Sequence, residues 1–195
     1  NKADQIPDVM RRAFHHLRNG RPGPVMIELP SDVGASEINI DIDSYHSPTK
    51  STQLPSISSI KDTVSALLKA KNPIIWSGMG VLFSQSTEEL KELAELLSLP
   101  VYTSMPGKSG FDETHQLSLG AGSGATTAAA VKWLDESDLI LALGTSLTRT
   151  PYARTIPEGK TIIHNVVSVE DINKDYNVEI SLPGDTKETI KLLID

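Results

Sequence analysis

Glycines mark where chemistry could occur in this chain. Gly78 and Gly80 follow the short apolar run Pro73-Ile-Ile-Trp-Ser77 and precede a helical pattern. A strand that enters a helix through such a turn presents backbone N–H groups at the helix N-terminus, where a phosphate is readily held. Gly120, Gly122 and Gly124 precede an Ala- and Thr-rich helical stretch in the same way, and Gly144 stops another apolar run at residues 138–143. A dinucleotide-binding fingerprint would need a further glycine at position 83, where Phe83 stands. The glycine turn therefore reads either as a nucleotide contact or as a purely structural turn.

Other candidate chemistry is thinner. Pro106-Gly-Lys-Ser109 suggests a P-loop, but the glycine required five residues before Gly107 is Tyr102. The segment also runs on into Gly110 and Phe111 instead of opening a helix, so the P-loop is rejected. His115 and His164 are isolated, and His15 and His16 are adjacent on a helix and face apart. No Asp or Glu stands at ligand spacing beside them, so no metal site is expected. No Gly-x-Ser-x-Gly elbow is present, since Ser123 lies directly between glycines. Glu88, Glu89, Glu92 and Glu95 read as a solvated helix face.

Composition narrows the classes. The net charge of −7, without a clustered basic face, argues against nucleic acid or an anionic membrane as partner. The absence of cysteine excludes disulfides, thiolate metal sites and cysteine nucleophiles. No run approaches the roughly 18 apolar residues of a membrane span, so a soluble cytoplasmic protein is expected. The chain starts with Asn1 rather than Met, which fits a piece of a longer protein.

The elements that would position these glycines follow in order. Residues 6–19 form a helix ended by Gly20, and residues 25–29 form a strand. One helix and one strand cannot cover their own apolar faces, so residues 1–30 read as the end of a preceding domain. Residues 31–55 read as a linker and residues 56–195 as a regular α/β domain. There Ser56 caps a helix carrying Ile57, Ile60, Val64 and Leu67. Strands are expected at 73–77, 100–104, 138–143, 161–166 and 178–181. Ser86 with Glu89 and Asp185 with Glu188 have capping-box spacing. Helices are expected at 125–134 and from 185 to the end. Alternating strands and helices predict a Rossmann-like, doubly wound, mainly parallel sheet with helices on both faces.

Several segments in this order resemble a known family. Gly20-Arg-Pro-Gly-Pro-Val-Met-Ile-Glu-Leu-Pro-Ser-Asp-Val33 is similar to the close of the pyrimidine-binding domain of thiamine-diphosphate-dependent enzymes of the acetolactate synthase and benzoylformate decarboxylase type. Residues 72–80, 99–103, 107–115, 119–120, 138–144 and 180–185 resemble that family's central domain. The resemblance implies a parent that decarboxylates a 2-oxo acid or joins the resulting carbanion equivalent to an acceptor. It also implies thiamine diphosphate and Mg²⁺ in the parent only. The activating glutamate would precede Asn1, and the Gly-Asp-Gly motif would follow Asp195. Partners would be these pyrimidine- and diphosphate-binding domains, with homo-oligomeric assembly, and the fragment alone would not be catalytic.

In flavin-binding relatives the glycine turns help hold FAD, and an arginine follows the later glycine closely. Here Thr145 or Ser146 stands there, and the first arginines are Arg149 and Arg154. The expectation is a vestigial nucleotide site at Gly78, Gly80, Gly120, Gly122, Gly144 and Arg149, without a ligand. The alternatives are a stand-alone FAD- or ADP-binding module and a scaffold fragment.

Overall fold

The computed structural model describes residues 2–123 and 125–195. The chain forms two compact units, Asn1–Thr52 and Gln53–Asp195. In the first, α1 (Ile6–Arg18) starts with Pro7 in its opening turn and ends at Asn19. Gly20 follows at φ +70°, the left-handed C′ position at which glycine costs least. The Asn19 side chain accepts from the Ser51 N–H at 2.7 Å, and Arg18 Nη1 donates to the Pro48 carbonyl at 3.0 Å. These bonds fasten residues 48–51 to the end of α1. The linker segment also carries a short helix, α2 (Ser31–Gly34), and a 3-10 turn at Ile42–Ser44. The strand expected at residues 25–29 does not form. Its backbone finds no ladder partner, and Met26 and Leu29 stand exposed.

The second unit holds a six-stranded sheet in the order β3-β2-β1-β4-β5-β6, parallel throughout. The strands are β1 (Pro73–Ser77), β2 (Val101–Ser104), β3 (Ser118–Gly122), β4 (Leu139–Leu143), β5 (Thr161–Val166) and β6 (Ile180–Pro183). The central strands are buried along nearly their whole length, as expected of a sheet covered on both faces. Side chains alternate between two cores. Ile75, Leu141 and Ile163 pack under α3 (Ile57–Lys69), α5 (Thr87–Leu97), α7 (Thr186–Ile194) and the one-turn α4 (Met79–Phe83). Ile74, Trp76, Ile140 and Ile162 face α6 (Ala128–Glu136) and the segments around Leu147, Ile156 and Tyr176. The strand order reverses between β1 and β4, which places a topological switch point at their C-terminal ends.

Local chemistry explains most boundaries. Ser56, Thr127 and Asp185 cap α3, α6 and α7, each accepting a backbone N–H from the third helical residue. Ser86 does not cap α5. Its hydroxyl donates to the Val81 carbonyl at 3.3 Å, because α4, unforeseen in the sequence, folds back against it. Glu89, expected on a solvated face with Glu88, Glu92 and Glu95, instead pairs with Lys187 at 3.0 Å.

The glycines at 120 and 122 do not open a helix. They lie in edge strand β3, which pairs with β2 across a register shift at Val101 and Tyr102. Glycine-rich sequence has little strand propensity of its own. Here the ladder to β2 imposes the strand, and α6 begins only after Thr127. Gly124 lies outside the described residues.

Candidate functional site

The switch point is built by close backbone packing. The Gly78 N–H donates to the Leu143 carbonyl at 2.9 Å, and the Gly80 N–H donates to the Gly144 carbonyl at 2.7 Å. A Cβ on Gly78 would lie 2.4 Å from the Gly144 oxygen, and one on Gly80 would lie 2.6 Å from the Gly144 Cα. Gly144 sits at φ +59°, and Gly107 packs against Gly78 with a would-be Cβ 2.8 Å from its carbonyl carbon. Three backbone segments thus meet where any side chain would force them apart. The structure brings Gly78, Gly80 and Gly144 together and adds Gly107. The two N–H groups nominated for a phosphate, those of Gly78 and Gly80, are both taken by carbonyls of the neighbouring segment.

Beside this cluster, over the C-terminal ends of the strands, lies a cleft of about 460 Å³. Trp76, Met105, Gly122, Thr145, Ser146 and Arg154 line it together with Tyr152 and Tyr176. Gly122 is therefore at the cleft, whereas Gly120, at φ +82°, stays within the edge strand near Thr127. Arg149 does not reach it. Its guanidinium lies 4.4 Å over the Tyr176 ring, and its backbone N–H donates to Asp175 at 2.9 Å, which turns it into a separate groove with Lys160 and Lys174. Arg154 is the arginine at the cleft. It lies five residues beyond Arg149 in a segment without periodicity, so no sequence signal separates the two.

The turn after β4 is held by two consecutive buried residues of β5 that the sequence reading missed as a pair. The His164 ring donates from Nε2 to the Thr145 carbonyl at 2.7 Å. Asn165 accepts from the Gly144 N–H at 3.3 Å and donates to the Leu182 carbonyl at 2.9 Å and to Thr189 at 3.1 Å. Both residues are fully buried. Burial holds the His164 pKa below its ordinary 6.5, against the opposing pull of the Thr145 carbonyl and Asp171. Neutral His164 with its proton on Nε2 leaves Nδ1 buried without a partner. The adjacent polar pair His164-Asn165 inside the otherwise apolar run Ile162 to Val166 was the available signal, since polar residues deep in a central strand need partners.

Tyr102 contributes a second unusual group. Its ring stacks edge-on against Trp76 at 4.6 Å, and its hydroxyl is buried. Burial raises its pKa; the Thr126 hydroxyl and Arg154 oppose that rise. The remaining candidates are structural. His115 meets Glu95 at 3.0 Å while its Nδ1 accepts the Leu117 N–H, and Lys108 pairs with Glu113. Residues Met105–Gly107 form a 3-10 turn capped by Ser104, consistent with rejecting the P-loop. Among the described residues no three His, Cys, Asp or Glu side chains gather as a metal site. No helix among them is long and apolar enough to cross a membrane.

The comparisons with known proteins agree with this architecture. The thiamine pyrophosphate enzyme central domain matches residues 60–193. A probable acetolactate synthase large subunit from Methanococcus aeolicus is 37% identical over 99% of this chain and 33% of its own length. An acetolactate synthase from Mycobacterium bovis is 32% identical over 98% of this chain and 32% of its own length. Among solved structures, benzoylformate decarboxylase from Polynucleobacter necessarius superposes with a TM-score of 0.83 at 25% identity, covering 99% of this chain and 36% of that one. The chain thus spans about a third of the length of the curated relatives it matches. A stand-alone FAD- or ADP-binding module finds no support in these matches. The parallel sheet, its strand order and the matched span together place the chain in the thiamine pyrophosphate enzymes, with residues 60–193 as their central domain.

Proposed function

We propose that the parent protein is a thiamine-diphosphate-dependent enzyme that decarboxylates a 2-oxo acid or transfers the resulting carbanion equivalent to an acceptor. The observation that carries this reading is the near-complete coverage of the chain by proteins named acetolactate synthase, each about three times its length. In this reading residues 1–30 end a pyrimidine-binding domain, residues 31–55 link the domains, and residues 56–195 form the central domain. Thiamine diphosphate and Mg²⁺ bind to parts of the parent outside this chain. The side chains described here do not fit a diphosphate-bound metal, because no cluster of metal-ligating residues forms among them. The central domain then works as a spacer between the two cofactor-binding domains and as a subunit contact in a cytoplasmic homo-oligomer. Glycine packing at the switch point supports this role, since the Gly78 and Gly80 N–H groups serve the fold and not a ligand.

The test is an assay of the full-length gene product for CO₂ release from 2-oxo acids with and without thiamine diphosphate and Mg²⁺. Cofactor-dependent release is expected. A full-length product that neither binds thiamine diphosphate nor releases CO₂ would refute the proposal.

A further inference from the structure

One dipeptide of this chain carries covalent chemistry of its own. Asn19 is the only one of the seven asparagines that precedes a glycine; the others precede Pro, Val, Ile or Lys. A backbone nitrogen that follows asparagine can attack the side-chain carboxamide carbon, and a side chain on that following residue hinders the approach. Gly20 has none. Even a Cβ built on it would meet nothing within 4 Å, and it sits at φ +70°, so the backbone turns freely there. Residues 20–32 are exposed throughout, which gives water access to the site.

The fold holds the reacting groups apart. Asn19 Oδ1 accepts from the Ser51 N–H and from the Ser51 hydroxyl, each at 2.7 Å. Asn19 Nδ2 donates to the His15 carbonyl at 2.9 Å and to His15 Nδ1 at 3.2 Å. Both acceptor sites and both donor hydrogens of the carboxamide are thereby used. The four bonds pin it over the last turn of α1, with the Asn19 backbone extended at ψ 145°. Closing a ring onto the Gly20 nitrogen requires the side chain to leave these partners. Arg18 fastens the same strap, since its Nη1 donates to Ser47 Oγ at 2.7 Å and to the Pro48 carbonyl at 3.0 Å. All of these bonds are exposed, so the strap opens locally and no core has to come apart.

We propose that Asn19-Gly20 is a deamidation site gated by the strap of residues 47–51. When the strap lifts, the Gly20 nitrogen attacks Asn19 Cγ. The new N–Cγ bond closes a succinimide ring, the Cγ–Nδ2 bond breaks, and ammonia leaves with the proton from the Gly20 nitrogen. Water then opens the ring at either carbonyl and leaves aspartate or isoaspartate; nothing is oxidised or reduced. The product does not restore the strap. A carboxylate has no hydrogen to donate to the His15 carbonyl, and its charge opposes the negative C-terminal end of α1. The reaction therefore runs once, in one direction, and loosens residues 47–51 from the helix. This site is independent of the thiamine reading and stands or falls without it.

The experiment incubates the full-length protein at mildly alkaline pH, native and in urea, and follows each asparagine by peptide mass spectrometry that separates aspartate from isoaspartate. Asn19 should convert before any other asparagine. The native rate should lie about tenfold or more below that of the urea-unfolded chain, the weight of one or two net hydrogen bonds. S51A and R18A remove strap bonds without touching the reacting atoms, and each should speed the native reaction about fivefold, the weight of one such bond. G20A should suppress it in both states. Melting curves show that each variant stays folded; should one of S51A and R18A unfold, the other carries the test. Absence of conversion at Asn19 in the native protein, once the unfolded chain has reacted fully, overturns the proposal. Equal rates in the native and unfolded chains overturn the gating, as does a native rate indifferent to both S51A and R18A.

Discussion

Gly122 and Tyr102 offer the sharpest test of how this fold is held. In G122A the new methyl would fall 1.8 Å from the Tyr102 hydroxyl oxygen, 1.9 Å from Cζ and 2.4 Å from Cε1. The ring cannot swing away, since it is 1% exposed and stacked on Trp76 at 4.6 Å. Overpacking of this severity costs at the upper end of the usual range, about 3 kcal/mol. Y102F alone should change stability by less than about 1 kcal/mol, because the buried hydroxyl meets only the Thr126 hydroxyl, and that without good hydrogen-bond geometry. It should not rescue G122A, because Cζ and Cε1 remain in place. Y102L, which removes the clashing ring atoms, costs about 2–3 kcal/mol by itself through lost packing, yet should recover about 2 kcal/mol in the G122A background. Urea unfolding of the three single and two double variants reads this directly, provided the slope against denaturant is unchanged. Two results refute the reasoning. One is a G122A cost below about 0.5 kcal/mol, which means the edge strand simply moves; the other is additivity of G122A and Y102L within about 0.5 kcal/mol.

Three further outcomes follow from the same geometry. G144A should cost well over 3 kcal/mol or abolish folding, since it combines left-handed strain with a Cβ 2.8 Å from Gly80; G159A, at φ +79° in open space, should cost only about 1 kcal/mol in thermal or urea unfolding. N165D should destabilise more than N165A, which itself costs about 2–4 kcal/mol, because the carboxylate replaces a donor with an acceptor facing the Leu182 and Gly184 carbonyls. His164 is neutral in the fold and more easily protonated when unfolded, so the unfolded state binds the extra proton below the ordinary pKa of 6.5. Stability should be complete above pH 6.5 and fall by up to about 1.4 kcal/mol per pH unit below it, until the lowered folded pKa is reached. Urea midpoints at pH 7.5 and 5.5 should show the loss, and H164Q should flatten it.

What the sequence determined by itself was the local grammar. Short apolar runs bounded by turn residues marked β1, β2, β4 and β5, because a strand buried on both faces has nowhere to place polar side chains. Ser56 and Asp185 declared helix starts through a hydrogen bond made within three residues. The doubly wound class followed from the alternation of these elements, and the ordered motifs of residues 72–144 pointed to the family.

Tertiary structure decided the rest. β3 is a strand only because β2 offers it a ladder and Gly122 leaves room for the Tyr102 ring. Residues 25–29 have strand-like composition but no strand, since the backbone hydrogen bonds of a parallel strand come from its neighbours. Ser86 carried a cap signal that yielded to the packing of α4. The choice of Arg154 over Arg149 at the cleft was likewise invisible in one dimension: both lie in an irregular segment, and the Tyr176 ring, nearly thirty residues away in sequence, captures one and leaves the other to line the cleft. Local signals survive in a sequence because their partners are a few residues away, whereas strand pairing, ring stacking and cleft lining are set by residues that only the folded chain brings within reach.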